Sequence, residues 1–552
     1  MRKWCFGISF VLLCFFVLAS SAAPAQGKTD SPKRNIRGLQ VQSVEEALTL
    51  PEEEIDLGTA TLLLAREAWK DFYGITIDVR VYQRHLDEMA KALRKRIGKN
   101  RKPEKVVAVI NRYLFEELGF RWTPLDEKDP KEFFLNFVLD QKKGTCLGLS
   151  LLYLALGERL KLPLYGVVVP GHFFVRYSDG KERFNIETTA GGTIFLDDYA
   201  MSAYSVPKDN PFYLKSLGKR KTIGVLYVNL GTVYLTRDRY EKALTYFTRA
   251  VEINPNDTEA YFGRGGIYYL KGFYEEAIEN YSKAIEINPW NAKMYYARGN
   301  AYTAVDFHNR AIEDYSRAIK INPEFVEAYF DRGNAYLSQG LYDQAIADYT
   351  KAIKIRPDFA EAYHNRGNAY RKRELPDRAI ADYNKAIALN PEYAEAYNNR
   401  GLAYFDKGFL EQALSDFNKA LQLNPGYVEA YYNRGNIYLA QGFLEKAVED
   451  YNRAIEMNSE YVEAYFFRGT VHLLLSHSEE ASADYKKVLE REPGFVYLLL
   501  GIIQDVVGSP REAREAYRIF VEYVSPKYEE FVKLAKERIR ELEKQSSQGN
   551  RK

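Results

Sequence analysis

The sequence predicts a mainly helical, multidomain chain in which an α+β unit is followed by an all-α solenoid. Three observations carry this. Proline recurs at 255, 289, 323, 357, 391 and 425, Ser459 takes the next place and Pro493 closes the series, a spacing of 34 residues that marks a repeat array. Ahead of the array, helical periodicity at 58–72, 79–97 and 103–118 leads to a short helix near 131–139, an apolar helix at 146–160 and strand-like runs at 166–169, 172–177 and 182–188. At 552 residues the chain exceeds one ordinary domain, and 46% hydrophobic residues are ample for packed cores.

Taken in order, residues 1–25 read as a secretory signal: Arg2 and Lys3 precede an apolar stretch, and small residues end in Ala23-Pro24-Ala25. The expected location is periplasmic or extracellular, with an uncleaved N-terminal anchor as the alternative. Cleavage near Ala25 removes Cys5 and Cys14 and leaves Cys146 as the sole thiol. Residues 26–42 are a polar linker, and Ser43 with Glu46 opens the α+β domain, 43–222, with a capping-box pattern. Eight repeats fill 223–495. Ser509-Pro510 and Ser525-Pro526 then start capping helices over 496–544, and a disordered tail is expected at 545–552. The formal charge is +2, two of the positive charges lying in the leader, so no nucleic-acid partner is expected. No metal-ligand spacing, phosphate loop or serine-nucleophile motif stands out; no cofactor is implied.

The chemistry-bearing stretch is 144–192. Thr145 is a candidate N-cap that places Cys146 in a first helical turn, where free backbone N–H groups favour a thiolate. Asp179-Gly180, read as a two-residue hairpin turn, sets Ser178 opposite Lys181 and His172 opposite Glu187, with Cβ atoms about 5 Å apart. Cysteine, histidine and acid are the groups thiol acyl transfer requires, although the hairpin supplies only the His-to-Glu half. Asn185 shares the face of Glu187 and competes as the orienting group. The plainer reading of Cys146 is a buried, small, apolar residue.

Within the array, counting from Gly224, position 4 is tyrosine, position 8 glycine and position 20 alanine in all eight repeats. Small residues at 8 and 20 let paired helices approach, and aromatics at 4, 11 and 24 fill the space between neighbouring repeats. Of the 44 tyrosines, 21 occupy those three columns, so the aromatic content is core and not a stacking platform for bases or sugars. Arginine at position 7 in repeats 2 to 8 and aspartate at position 23 in repeats 3 to 8 predict a structural ion pair.

These columns resemble the tetratricopeptide repeat (TPR) family across 224–495. In that family positions 6 and 9 face a concave groove, so the resemblance implies a peptide- or protein-binding surface carrying Asn229, Asn365, Asn399 and Asn433 at position 6 and Asn300, Asn334, Asn368 and Asn436 at position 9. A ladder of amides can hold an extended backbone; a solvated polar row is the alternative. Lys143-Gly144-Thr145-Cys146, Pro170-Gly171-His172-Phe173 and Asn185-Ile186-Glu187-Thr188-Thr189 resemble the transglutaminase-like superfamily, within the papain-like thiol fold, over about 43–204. More narrowly they are similar to a bacterial group often joined to tetratricopeptide repeats. The resemblance implies Cys146 as nucleophile on an amide carbonyl, His172 as base, and Glu187 in a place more often held by aspartate. Gln141, a few residues before the cysteine, could donate to an oxyanion. Two functions fit this architecture: an exported cysteine peptidase or transglutaminase-like acyltransferase whose array recruits a substrate, or a non-catalytic interaction scaffold with a relic domain.

Overall fold

The computed structural model describes residues 41–549 apart from 100–101, 125–129, 207–211, 507 and 526. The signal read at 1–25 and most of the linker lie outside the described residues. The chain divides into two compact units between Ile223 and Gly224.

The first unit is built around one buried helix. Helices α1 (Val44–Thr49), α2 (Leu57–Tyr73), α3 (Val79–Ile97) and α4 (Pro103–Asn111) come first, and α4 widens into a π turn, Arg112–Glu117. A short strand β1 (Arg121–Trp122), helix α5 (Leu135–Gln141), strand β2 (Lys143–Gly144) and helix α6 (Cys146–Leu160) follow. Twelve of the 15 residues of α6 are buried, which is why its sequence is apolar on every side. Its one buried charge, Arg159, is neutralised by Asp56 and Asp87. Strands β3 (Leu164–Val169), β4 (His172–Ser178), β5 (Arg183–Glu187) and β6 (Thr193–Phe195) form an antiparallel sheet in that order, before helix α7 (Asp197–Ala203). The sequence reading did not anticipate β6 or the parallel β1–β2 pair, both of them too short to show a period.

The hairpin register differs from expectation. Ser178 pairs with Arg183 rather than Lys181, so the loop has four residues, 179–182. Asp179 causes this: its Oδ1 accepts from the backbone N–H groups of Lys181 and Glu182, both at 2.8 Å, closing a side-chain-capped turn in place of a two-residue one. The two-residue turn lies one hairpin earlier, where Val169 pairs with His172 across Pro170 and Gly171. Gly171 takes φ 68°, the positive value a type II turn requires after proline.

The second unit is a series of antiparallel helix pairs, the first being Lys219–Thr236 with Tyr240–Ile253, and first helices of successive repeats lie beside one another. Glycine at position 8 meets the aromatic at position 24 of its own repeat: a Cβ on Gly367 would stand 2.7 Å from Tyr383 Cε1, and one on Gly333 2.7 Å from Tyr349 Cε1. Thus the position-24 ring fills space within a repeat, not only between repeats. The column 7–23 ion pair is present in repeats 3 to 8 as a two-pronged fork; Arg332 Nε and Nη2 each lie 2.7 Å from Asp348. A third prong ties each arginine to the preceding repeat, as in Arg332 to Ser316 at 2.8 Å. In repeat 2, Asn280 replaces the aspartate and accepts from Arg264 at 2.6 Å.

The N-cap position of the second helix in repeats 2 to 7 is held by Phe273, Phe307, Leu341, Leu375, Phe409 and Phe443, none of which caps the helix with its side chain. Phe409 is 43% exposed. Burying roughly half of a ring of about 200 Å² at ~25 cal/mol per Å² contributes about 2.5 kcal/mol, more than the ~1 kcal/mol of a polar cap. Beyond the repeats, the terminal helix Glu529–Gly549 extends into the tail expected to be disordered.

Candidate functional site

Cys146 starts α6 because Thr145 caps it, accepting from Gly148 N–H at 3.3 Å, and the Thr145 N–H is held by the Glu132 carbonyl at 3.1 Å. The residue is half-buried and, among the described residues, unpaired with another cysteine. His172, first residue of β4, is positioned by the Pro170-Gly171 turn. Its Nε2 lies 2.8 Å from Glu187 Oε2. These residues are not directly opposed, as the hairpin reading had them. The observed register, continued by one pair, sets Glu187 opposite Phe174, with His172 two residues beyond on the same face. A two-residue slip preserves faces, so the side chains still meet, now along a diagonal that a glutamate can span.

Glu187 is held on every side. Its Oε1 accepts from Thr189 N–H at 3.1 Å and Oγ1 at 2.7 Å, and its Oε2 also accepts from Tyr204 O–H at 2.8 Å. The Tyr204 ring stacks on His172, centroids 4.8 Å apart and planes 12° from parallel. Burial alone would depress His172, but hydrogen bonding with Cys146 and with Glu187 outweighs it and pushes the imidazole up to about 9. Burial alone would raise Glu187, yet the His172 bond and charge hold it below the usual carboxylate range. With Nε2 engaged by Glu187, Nδ1 is the ring nitrogen left for the thiol. Burial, then the bond to Glu187, pushes Tyr204 upward. Sequence reasoning missed Tyr204 and Thr189; Thr189 stood within the quoted motif, whereas nothing local to Tyr204 announces its role.

Asn185 is not brought to His172. It pairs with Arg176, accepts from that guanidinium at 2.8 Å and donates to Asp197 at 2.8 Å, which commits its amide to a buried network. Gln141 is exposed at the end of α5. Among the described residues no three His, Cys, Asp or Glu side chains converge as for a metal ion, and no helix is long and apolar enough to cross a membrane.

In the array, the asparagines bond to one another rather than standing free. Asn365 donates to Asn334 at 2.9 Å, Asn399 to Asn368 at 3.0 Å and Asn433 to Asn398 at 3.0 Å, each step linking a repeat to the one before it. The position-9 amides of Asn300, Asn334, Asn368 and Asn436 also accept the position-24 tyrosine hydroxyls at 2.7–2.8 Å. Position 9 is therefore partly structural. Asn229 donates to its own helix, at Val225 O. A cavity of about 450 Å³ is lined by Asn398, Asn399 and Asn433 with Glu429, Glu463 and residues 527–529.

The two units thus define a protein that pairs an α+β domain, with a cysteine at a helix start, and a solenoid of helical hairpins. Family profiles match accordingly. Residues 80–211 match the transglutaminase-like superfamily, and TPR profiles match 225–257, 265–305, 308–340, 333–373, 377–408, 402–442, 428–461 and 462–495. The chain is a transglutaminase-like domain followed by a tetratricopeptide repeat array. A UPF0162 protein of Xylella fastidiosa (strain Temecula1) is 27% identical over 224 residues, 38% of this chain and 76% of that protein. F-box only protein 21 of Mus musculus is 28% identical over 120 residues, 22% of this chain and 16% of that protein. Among solved structures, MamA is 30% identical, covering 31% of this chain and 94% of its own, with a TM-score of 0.29. YrrB, described as a TPR protein with an unusual peptide-binding site, is 29% identical, covering 34% and 96%, with a TM-score of 0.30.

Proposed function

We propose that the chain is an interaction scaffold whose repeat array captures a peptide segment of a partner protein, with the transglutaminase-like domain carried alongside. The cavity between the amide ladder and residues 527–529 is the observation that supports this most. Position 6 supplies the contact: Asn365, Asn399 and Asn433 are half-buried; Asn365 and Asn433 each donate one N–H within the ladder, leaving the second for a peptide carbonyl, whereas Asn399 spends both, on Asn368 at 3.0 Å and on His364 at 2.9 Å. Panning a random-peptide phage library on the full chain tests it. Enriched peptides are expected to bind wild type and Cys146→Ala alike, and the Asn365→Ala/Asn399→Ala/Asn433→Ala variant at least tenfold more weakly. No enrichment, or unchanged binding by the triple variant, overturns the reading.

A second reading, thiol acyl transfer, is favoured by the Glu187–His172 contact with Cys146 beside the ring. Here His172 takes the thiol proton as sulfur bonds to an amide carbonyl carbon. It then delivers that proton to the departing amine, leaving a thioester for water or a second amine to open. A thiol-directed peptide probe that labels wild type and not His172→Gln supports this reading; equal labelling of both removes it. An exported or anchored location remains part of the proposal and rests on the leader alone.

A further inference from the structure

The wall of the array cavity is acidic, and the acids recur with the repeat. Position 2 is glutamate in repeats 5 to 8, as Glu361, Glu395, Glu429 and Glu463. The corresponding Glu327 of repeat 4 is paired with Arg356. Glu361, Glu395 and Glu429 are exposed and have no hydrogen-bond or ion-pair partner among the described residues. They follow one another along the face: Glu361 and Glu395 both act on Tyr393 and on His364, and Glu395 and Glu429 both act on Tyr427, a lining residue of the cavity.

An independent observation says what such a wall accepts. The chain's own Lys527 lines the same cavity, its ammonium 3.9 Å from Glu492 and within the field of Glu463. It sits 4.7 Å over the ring of Tyr528. Phe531, four residues on, lines the cavity too and packs against Phe466 and Phe467 of repeat 8, with ring centroids at 5.1 and 5.6 Å. Between them Glu529 pairs with Lys372 of repeat 5 at 2.5 Å, cancelling a positive charge beside this face. A lysine flanked by aromatics is thus already seated at one end of the acidic row, while the glutamates of repeats 5 to 7 remain unmatched.

We propose that this face takes an extended peptide bearing lysine or arginine, with one basic side chain against each of Glu429, Glu395 and Glu361, the segment around Lys527 occupying the end of the same track. This rests on the array acting as a capture surface, and names the chemistry of what it captures. Adjacent helices pack about 10 Å apart, and an extended peptide in the polyproline II conformation advances about 3.1 Å per residue with about three residues per turn, so basic residues at every third position share one face at about that spacing. Exposed pairs each contribute little, and three in register are needed for a measurable preference.

Fluorescence anisotropy on the full chain tests this with two labelled nine-residue peptides, Gly/Ser chains carrying lysine, or glutamate, at every third position. The lysine peptide is expected to bind at least tenfold more tightly, to weaken as salt rises, and to lose that preference in Glu361→Gln/Glu395→Gln/Glu429→Gln. The control Glu275→Gln/Glu411→Gln/Glu445→Gln, exposed glutamates of the second helices, keeps it. Equal affinity for both peptides, no binding of either, or an unchanged preference in the first triple variant overturns the proposal. Library panning separates the two levels: enriched peptides without lysine or arginine leave the scaffold standing and remove the charge rule, whereas no enrichment removes the scaffold itself.

Discussion

Glu187 meets His172 along a diagonal of the β4–β5 pair, Oε2 to Nε2 at 2.8 Å, and not straight across it. A diagonal needs reach. Glu187→Asp, shorter by one methylene, is therefore expected to lose the contact and lower the His172 pKa from about 9, read by NMR titration of the imidazole. An unchanged titration would show that the bond does not set the protonation. The linked stability has a defined sign. His172 is raised above its ordinary 6.5, so its contribution is full below pH 6.5 and is lost as pH rises through about 9. Glu187 is lowered, so its contribution is present above its ordinary 4.5 and is lost as pH falls through the depressed value. The gap in urea midpoint between wild type and His172→Gln should be wide at pH 6 and narrow by pH 9.5.

Arg332 and Asp348 are both largely buried, so removing one strands the other. Arg332→Met or Asp348→Leu alone should cost roughly 3–5 kcal/mol, and the double variant clearly less than the sum. Charge exchange is a poorer test, because Arg332 also donates to Ser316 of the preceding repeat and a swapped pair forfeits that bond. Additive single and double effects in equilibrium unfolding would remove the pair as a coupled unit.

Gly367→Ala places a methyl 2.7 Å from Tyr383 Cε1 and should destabilise by about 1–3 kcal/mol through overpacking. Combined with Tyr383→Leu, the loss should fall short of the sum of the two. A Tm unchanged in Gly367→Ala would mean the ring moves aside freely.

Phe409→Asp restores a polar helix cap and would stabilise an ordinary N-terminus. Here it gives up the half-buried ring and its contact with the Lys407 ammonium at 4.9 Å. The expected net effect is a loss of about 1–2 kcal/mol. A gain in denaturant midpoint would show that these rings are idle.

The repeat frame and the column 7–23 fork were legible because each recurs eight or six times in one sequence, and a contact shared by every repeat leaves a column. The arginine's third prong was not, because its acceptor changes from Ser282 and Ser316 through Thr350 to Asn384, Asn418 and Asn452. The structural tie of position 9 leaves no local signal because its partner, the tyrosine hydroxyl at 24, lies in the other helix. In the α+β domain the helix of Cys146 was visible from its cap, but the register depended on how Asp179 spends its side chain, which Asp-Gly alone does not settle. His172 and Glu187 came together in spite of the slip because strand faces repeat every two residues. Tyr204 joins the site from beyond the sheet, and no pattern in the sequence ties it there.

The central claim is that the chain captures peptide without altering it. Intact-mass spectrometry of the full chain incubated with an enriched peptide tests this most directly. The account predicts that protein and peptide are each recovered at their original masses after dissociation. A thioester adduct on Cys146, or a peptide that has been cleaved, deamidated or joined to an amine, would contradict it and return the site at His172 and Glu187 to catalysis.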